Sequence, residues 1–122
     1  MANKVLFIEY PKCSTCQKAK KWLDDHGVDY TDRHILEKNP TARELRTWHK
    51  RSGLPLKRFF NTSGMLYRDM ELSKKLPNMT EDEMYDLLAT DGMLVKRPLL
   101  VLDGAVLPGF READWKAALD LR

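Results

Sequence analysis

The two cysteines of the chain, Cys13 and Cys16, are separated by two residues in the stretch "KCSTCQK". A CxxC pair can form a redox dithiol, supply half of a zinc site, or place two small side chains in a core. Structural zinc needs four ligands, and the histidines His26, His34 and His49 form no pair at zinc-ligand spacing. We therefore favour thiol chemistry, with zinc binding and simple burial as the alternatives.

The residues on either side of the CxxC predict a strand followed by a helix. The stretch "KVLFIEY" (4–10) is short, rich in β-formers and bounded by Pro11, which is typical of a buried strand. After Cys13, apolar residues recur at helical spacing as far as Leu23, and Gly27 is placed to end the helix. The CxxC is therefore expected at the N-terminus of a helix that follows the first strand.

This position predicts different tasks for the two thiols. At the helix start Cys13 would face free backbone N–H groups and the positive end of the helix dipole, and both stabilise a thiolate. Lys12 and Lys18 would add positive charge. We expect the pKa of Cys13 to fall from about 8.5 toward the range of roughly 3.5–7.5 of activated cysteines. Cys16, one turn deeper, would then attack a mixed disulfide formed at Cys13.

The remaining pattern predicts a thioredoxin-like α/β fold. A strand at 29–35 completes a βαβ unit with parallel strands, and two apolar runs at 98–110, joined by a turn, predict a hairpin. The order β-α-β, a helical middle and β-β-α predicts a mixed sheet of about four strands with helices on both faces. We expect one domain over residues 1–122, with a helical insertion at about 40–92.

Helices outside the first βαβ unit are marked by capping residues and apolar spacing. Two T-x-x-E capping boxes begin helices that we expect to end at Gly53 and near Gly92. A last helix is predicted over 111–121. The residues concerned are the boxes Thr41 with Glu44 and Thr80 with Glu83, the hairpin turn Asp103–Gly104, and the apolar side of the last helix at Ala113, Trp115, Ala118 and Leu119, with Leu121 as a further candidate.

Composition and charge exclude several function classes. The chain has 122 residues, 43% of them hydrophobic, and a net charge of +3 from charges spread along its length. A nucleic-acid-binding domain would concentrate its basic residues on one face, so we expect no direct nucleic-acid partner. No apolar run approaches the roughly 20 residues that cross a membrane, and the N-terminus lacks a signal-peptide pattern. We expect a cytoplasmic location, where thiols stay reduced.

Two arginines stand where they could hold an anion beside the cysteines. Arg97 precedes Pro98, at the start of the predicted hairpin, where a thioredoxin-like fold often has a cis proline facing the CxxC. Arg111 begins the last predicted helix. Guanidinium groups and a helix N-terminus together bind tetrahedral oxyanions well. The alternative is that both arginines are solvated surface charges.

The stretch "FFNTSGMLYR" (59–68) is a second polar candidate. Its side chains and glycine would suit a substrate-facing loop, or a turn fixed by Asn61 and Gly64. Phe59 and Phe60 are expected in the core. The three tryptophans lie on apolar helix faces and are also expected to be packing residues: Trp22, Trp48 and Trp115.

Four stretches together resemble the arsenate reductase family, which includes the glutaredoxin-coupled enzymes and the Spx regulators. The resemblance runs in the family's order and spacing from Val5 to about Trp115. It is carried by "YPKCSTCQKAKKWLDDHGV", "KRFFNTSGMLYR", "DGMLVKRPLLV" and "GFREADW".

The resemblance implies a thiol mechanism on an oxyanion. In the glutaredoxin-coupled enzymes one cysteine attacks arsenate, three arginines hold the oxyanion, and glutathione with glutaredoxin returns the electrons. Cys13 matches the nucleophile, Arg97 and Arg111 match two of the arginines, and by spacing the third position falls on Asn61, with Arg68 nearby. Losing one guanidinium weakens arsenate binding. Cys16 would add an internal resolving thiol that those enzymes lack.

The resemblance to Spx-type regulators implies a second function. Those proteins use a CxxC as a redox switch and bind the C-terminal domain of the RNA polymerase α subunit, through a region that Gly53 in "RSGL" falls near. The "FFNTSG" segment, absent from Spx, resembles instead a branch of small arsenate-reductase-like proteins.

From the sequence we expect a thiol-dependent oxidoreductase acting on an oxyanion or a mixed disulfide, with a redox-sensing regulator as the alternative. The expected electron donor is glutathione, glutaredoxin or thioredoxin, with no bound cofactor and no metal. The catalytic candidates are Cys13, Cys16 and Arg97, and the substrate-binding candidates are Arg111, Asn61, Arg68, Lys12, Ser14, Thr15 and Pro98.

Overall fold

A four-stranded mixed sheet forms the centre of one of two compact units into which the chain divides. The computed structural model describes residues 4–121. The first unit contains the described residues up to His34 and from Arg97 onward, and the second is Ile35–Lys96. The predicted insertion at about 40–92 falls within the second unit, and a single domain over the whole chain stays a prediction.

The sheet in the first unit has the order β2-β1-β3-β4. β1 and β2 pair in parallel, while β1 with β3 and β3 with β4 pair antiparallel. The predicted βαβ unit, hairpin and thioredoxin-like mixed sheet are therefore confirmed. The strands are β1 (Leu6–Glu9), β2 (Thr31–His34), β3 (Leu99–Val101) and β4 (Val106–Pro108).

Two helices of the first unit pack on this sheet: α1 (Ser14–Asp25) and α6 (Glu112–Ala118). Their apolar residues join those of β1 and β3 in one buried cluster, in which Phe7 and Trp115 are fully buried and meet edge to face. Burial of such rings and aliphatic side chains stabilises by roughly 1.5–3 kcal/mol each. This cluster fixes α1 against the face of β1 that carries Phe7.

The last helix is shorter than predicted. It ends at Ala118 instead of residue 121, and Asp120 has a φ of 55°, in the left-handed region that ends a helix. Ala113 is exposed, so its assignment to the apolar side was wrong. At about 100° per residue, Ala113 and the buried Trp115 lie on opposite sides of a helix.

The second unit is mostly helical. Both predicted capping boxes are formed, and Gly53 ends the second helix in the left-handed conformation with a φ of 67°. The helices of this unit are α2 (Ala42–Ser52), α3 (Met65–Asp69), α4 (Leu72–Lys75) and α5 (Glu81–Leu88), with 3-10 turns at Leu56–Phe59, Leu76–Asn78 and Gly92–Leu94.

The helix α5 ends at Leu88, earlier than the predicted end near Gly92. Asp91 accepts a hydrogen bond from the Met93 N–H and begins a separate 3-10 turn. Gly92 is needed there because a Cβ on it would collide with the backbone carbonyl of Ile35. The glycine therefore permits a close backbone approach and does not cap the helix.

Two short helices, α3 and α4, had no counterpart in the sequence analysis, because neither has a capping side chain and each spans little more than one turn. The predicted core assignments are confirmed for Phe59 and Phe60, and the three tryptophans are buried. In the part of the chain described, no helix is long and apolar enough to span a membrane.

Candidate functional site

Cys13 occupies the N-cap of α1, directly after the first strand. Its backbone is extended and its N–H donates to the Tyr10 carbonyl over 2.9 Å, which closes a tight turn at Pro11. The Gln17 side chain donates to the Pro11 carbonyl over 2.9 Å and holds the turn from the helix side. The loop therefore sets the Cys13 sulfur against the free N–H groups of the first helical turn.

The surroundings of Cys13 favour its thiolate. Partial burial opposes ionisation, but the backbone N–H groups of Cys16 and Thr15, the Cys16 thiol and the charge of Arg97 together lower the pKa of Cys13 below its ordinary value of 9.0. The side chain is half-buried, so the sulfur remains accessible to a substrate. This is the combination that makes a cysteine nucleophilic.

Cys16 has the opposite environment. It is fully buried on the inner side of α1. Burial is the main reason that the pKa of Cys16 rises to about 12, and the charges of Cys13 and Glu9 raise it further, against a hydrogen bond from the Tyr10 N–H that lowers it. Cys16 therefore carries its proton in the resting protein and donates it in a hydrogen bond to the Cys13 sulfur.

Arg97 is held close to this turn. The Arg97–Pro98 peptide bond is cis, as expected from the sequence. The guanidinium carbon of Arg97 lies 5.6 Å from the centre of the Tyr10 ring, a distance at which a cation and a ring attract. Since its charge also lowers the pKa of Cys13, Arg97 is near enough to stabilise an anion formed at that sulfur.

A buried acid beside the cysteines was missed by the sequence analysis. Glu9 ends β1 with only 2% of its surface exposed. Lys20 Nζ lies 3.8 Å from Glu9 Oε2 and 2.8 Å from Asp32 Oδ2. Burial, then the hydrogen bond and charge of Asp32, raise the pKa of Glu9 to about 7. The signal in the sequence was an acidic residue inside the predicted strand 4–10.

The other candidate site residues of the first unit lie near Cys13 and Arg97 in the chain or at the surface of the unit. Lys12, Ser14 and Thr15 are exposed around the first turn of α1, and Pro98 is buried at the start of β3. Arg111 is exposed at the N-cap of α6. Its convergence on Cys13 stays a prediction.

Two candidates belong to the second unit. Asn61 donates its N–H to the Leu94 carbonyl over 2.8 Å and accepts from the Gly64 N–H over 3.1 Å, so it organises the predicted turn. A Cβ on Gly64 would collide with the Asn61 side chain, which explains the glycine. Arg68 is exposed on α3. Substrate binding by Asn61 and Arg68 stays a prediction.

A metal site has no support from side-chain clustering. Among residues 4–121, no group of three or more histidine, cysteine, aspartate or glutamate side chains could hold a metal ion. Both cysteines are free thiols.

A mixed four-stranded sheet with a CxxC at the start of its first helix is the architecture of thioredoxin-like proteins. Sequence similarity narrows the assignment from this fold class to one family. The chain belongs to the ArsC family, whose model matches residues 8–118.

Similar proteins agree with this assignment. YusI from Bacillus subtilis (strain 168) is 54% identical over 90% of this chain and 93% of its own length. The regulatory protein MgsR from the same strain is 26% identical over 93% of this chain and 89% of its own. The global transcriptional regulator Spx of Staphylococcus epidermidis (strain ATCC 35984) is 26% identical over 85% of this chain and 78% of its own.

Solved structures resemble the chain over nearly its whole length. An ArsC-family-related protein from Bacteroides fragilis has a TM-score of 0.92 and 56% identity, covering 96% of this chain and 98% of that one. A protein described as a "possible arsenate reductase" from Streptococcus mutans UA159 has a TM-score of 0.85 and 48% identity, covering 93% and 98%. The arsenate reductase of Vibrio cholerae, with a TM-score of 0.81 and 21% identity over both full chains, shares the fold.

Proposed function

We propose that this protein is a thiol-dependent oxidoreductase in which Cys13 is the nucleophile and Cys16 the resolving thiol. The observation that carries the proposal is the position of Cys13 at the N-cap of α1, where two backbone N–H groups, the Cys16 thiol and Arg97 favour its thiolate. A buried structural cysteine has no such set of donors, and its pKa rises instead.

The proposed reaction on a mixed disulfide has two exchange steps. The Cys13 thiolate attacks one sulfur of the substrate disulfide, forms a new S–S bond with it and releases the other sulfur as a thiolate. Cys16, after losing its proton, attacks the Cys13 sulfur, forms the Cys13–Cys16 disulfide and releases the second substrate thiolate. Two electrons from glutathione, glutaredoxin or thioredoxin then restore both thiols. Such a couple requires a reducing compartment, so a cytoplasmic location is part of the proposal.

An oxyanion is the second substrate class within this proposal. Arg97 beside the Cys13 sulfur would hold an anionic oxygen, as would Arg111 if it converges there. Asn61 at the position where the resemblance implies a third arginine leaves the predicted clamp one guanidinium short. We therefore expect mixed-disulfide reduction to exceed arsenate reduction.

A steady-state assay with defined donors tests the proposal. Reduction of arsenate and of a glutathione–peptide mixed disulfide would be followed with glutathione plus glutaredoxin, or with thioredoxin, as electron donor. Wild type would be compared with Cys13→Ser and Cys16→Ser, and an exposed substitution on α1, Lys21→Gln, serves as the control. We expect Cys13→Ser to abolish turnover and the control to retain it.

The same assay separates the resolving routes. Loss of turnover in Cys16→Ser indicates the internal disulfide, whereas retained turnover with glutathione indicates that an external thiol resolves the Cys13 adduct. Turnover that survives Cys13→Ser would remove the basis of the proposal.

A redox-responsive regulator is the second candidate, favoured by the similarity to MgsR and Spx over most of the chain. Its disulfide would be a sensor, and its partner would be the C-terminal domain of the RNA polymerase α subunit. Gly53 has a sufficient explanation in its left-handed helix-ending conformation, and a Cβ there would meet nothing within 4 Å. The glycine is therefore no independent argument for that partner.

Binding to the purified α-subunit domain, measured with reduced and with oxidised protein, distinguishes the two candidates. Robust binding that changes on oxidation, together with absent turnover, would favour the regulator. Turnover without binding would favour the oxidoreductase.

A further inference from the structure

Resolution by Cys16 requires a proton acceptor. Its thiol is fully buried, and its pKa is about 12. Forming an adduct at Cys13 removes the negative charge on that sulfur, which is one cause of the raised pKa, but burial remains. Since the thiolate is the attacking species, a nearby base would be needed to take the proton from Cys16.

The geometry of β1 and α1 places one carboxyl group beside Cys16. Glu9 lies two residues after Phe7 and so on the same face of β1, the face that α1 covers. Lys20, one helical turn after Cys16, reaches Glu9 Oε2 at 3.8 Å. Residues four apart on a helix are neighbours, about 5–6 Å between Cβ atoms. The Tyr10 N–H, adjacent to Glu9 in the chain, donates to the Cys16 sulfur.

We propose that Glu9 accepts the proton of Cys16 as Cys16 attacks the adduct at Cys13. The proton moves from the Cys16 sulfur to the Glu9 carboxylate, the electron pair left on sulfur forms the Cys13–Cys16 bond, and the substrate thiolate leaves. Glu9 later returns its proton to solvent. This inference rests on the proposed function, because it assigns a role within its second step.

The groups around Glu9 suit this task. β2 contributes Asp32 and His34, the latter opposite Glu9 in the strand register, and α1 contributes Lys20 and Cys16. The residues of β3 that pair with β1 are apolar, and Arg97 lies two residues before β3 begins. Burial and Asp32 keep the pKa of Glu9 at about 7, where it alternates between acid and base at neutral pH. The Asp32 side chain, 37% exposed, links the buried carboxyl group to solvent.

A single-turnover reaction with an aromatic disulfide, 5,5′-dithiobis(2-nitrobenzoate), observes the two steps separately. With protein in excess, the attack of Cys13 releases one coloured thiolate, and the attack of Cys16 releases the second. Cys16→Ser assigns the phases because it retains only the first. In wild type we expect the second-phase rate to rise with pH through about 7 and then level off, because Glu9 must be ionised to accept a proton.

Glu9→Gln distinguishes proton transfer from a purely electrostatic influence. If Glu9 accepts the proton, the second phase slows about 100-fold at pH 8 and rises with pH without levelling off, while the first phase persists. If Glu9 acts only through its charge, its removal lowers the pKa of Cys16 and the second phase accelerates. A second phase in Glu9→Gln as fast as wild type would overturn the inference. The control Asp25→Asn removes an exposed carboxylate from α1 and should change neither phase.

A second variant keeps the test decisive if Glu9→Gln does not fold. Asp32 raises the pKa of Glu9, so Asp32→Asn should move the midpoint of the second-phase pH profile to lower pH, and Asp25→Asn should not. An unmoved midpoint contradicts the role of Glu9. A missing first phase in wild type would instead contradict the nucleophile itself, and a missing second phase would contradict Cys16 as resolver and Glu9 with it.

Discussion

The two cysteines at the start of α1, at its N-cap and at its third residue, differ in the charge state that their surroundings favour. At the N-cap, Cys13 is half-buried and surrounded by N–H donors and Arg97, which favour a negative sulfur. Cys16, on the inner side of the helix, is fully buried near Glu9, and both groups are held in their protonated forms more strongly than in water. The CxxC thus combines one sulfur whose thiolate is favoured with a second sulfur that keeps its proton.

The difference shows that the CxxC spacing alone does not assign tasks to its cysteines. Both sulfurs belong to one helix, yet free backbone donors exist only at its N-terminus. The Cys16 side chain lies on the buried side of that same turn, so burial dominates its pKa. Substitutions can remove either side of this contrast separately.

Removal of the Cys13 sulfur should abolish thiol labelling of the folded protein. In Cys13→Ser, iodoacetamide labelling of the native protein should fall to background, because Cys16 is buried and protonated at neutral pH. Mass spectrometry of the labelled protein measures this. In Cys16→Ser, labelling of Cys13 should persist, with a midpoint below the ordinary pKa of 9.0. Labelling of Cys16 in the folded Cys13→Ser variant would refute the contrast between the two cysteines.

Removal of the buried charge at Glu9 should stabilise the protein at alkaline pH. Its pKa is raised from 4.5 to about 7 in the folded state. The stability associated with the protonated form is therefore complete below about pH 4.5 and is lost as the pH rises through 7. Glu9→Gln should thus be more stable than wild type by about 3 kcal/mol at pH 8, at roughly 1.4 kcal/mol per pKa unit.

Denaturant unfolding of both proteins between pH 4 and pH 8 measures this difference. It should shrink toward zero at pH 4, where Glu9 is protonated in both states. Asp25→Asn, an exposed change on the same helix, should show no comparable gain at pH 8. An equal difference at both ends of the pH range would mean that packing, and not ionisation of Glu9, sets the stability of the variant.

The charge of Arg97 should account for a smaller part of the difference in pKa between Cys13 and Cys16. Arg97→Gln should raise the pKa of Cys13, because one of the charges that favour its thiolate is removed, while the helix N–H groups remain. Labelling of Cys13 near neutral pH should slow severalfold. Arg97→Lys keeps the charge and should recover part of the rate. A pH profile identical in wild type and Arg97→Gln would assign the lowered pKa to the backbone alone.

Local patterns were sufficient to predict most of the fold. Apolar periodicity predicted β1, α1 and the hairpin, and side chains three residues apart predicted the caps at Thr41 and Thr80. The position of Cys13 at a helix start followed from the strand that precedes it. These features depend on residues that are close in sequence, so they can be derived from the sequence alone.

Features that depend on distant residues could not be derived in this way. The environment of Glu9 needs Asp32 from the neighbouring strand and Lys20 from the covering helix. Gly92 was interpreted as a helix end because its contact with the Ile35 carbonyl comes from a distant part of the chain. Asn61 was interpreted as part of a loop, and its bond to the Leu94 carbonyl was not foreseen. Each of these needs a tertiary contact that no local pattern encodes.

The capping box at Thr41 should affect the stability of the protein and leave the difference in pKa between Cys13 and Cys16 unchanged. The Thr41 hydroxyl accepts from the Glu44 N–H over 3.1 Å, and Glu44 Oε1 accepts from the Thr41 N–H over 3.0 Å. Thr41→Ala removes the first of these bonds and should cost about 1 kcal/mol, while Thr41→Ser retains it.

Denaturant unfolding measures the loss of stability, and the pH profile of Cys13 labelling measures the pKa of Cys13. We expect the midpoint of unfolding to fall in Thr41→Ala and to stay near wild type in Thr41→Ser, with the labelling profile unchanged in both. The reason is that the groups that lower the pKa of Cys13 are the N–H donors of α1, Cys16 and Arg97, all within the first unit. A labelling profile that shifts in Thr41→Ala but not in Thr41→Ser would show that order in the second unit also determines the charge on Cys13.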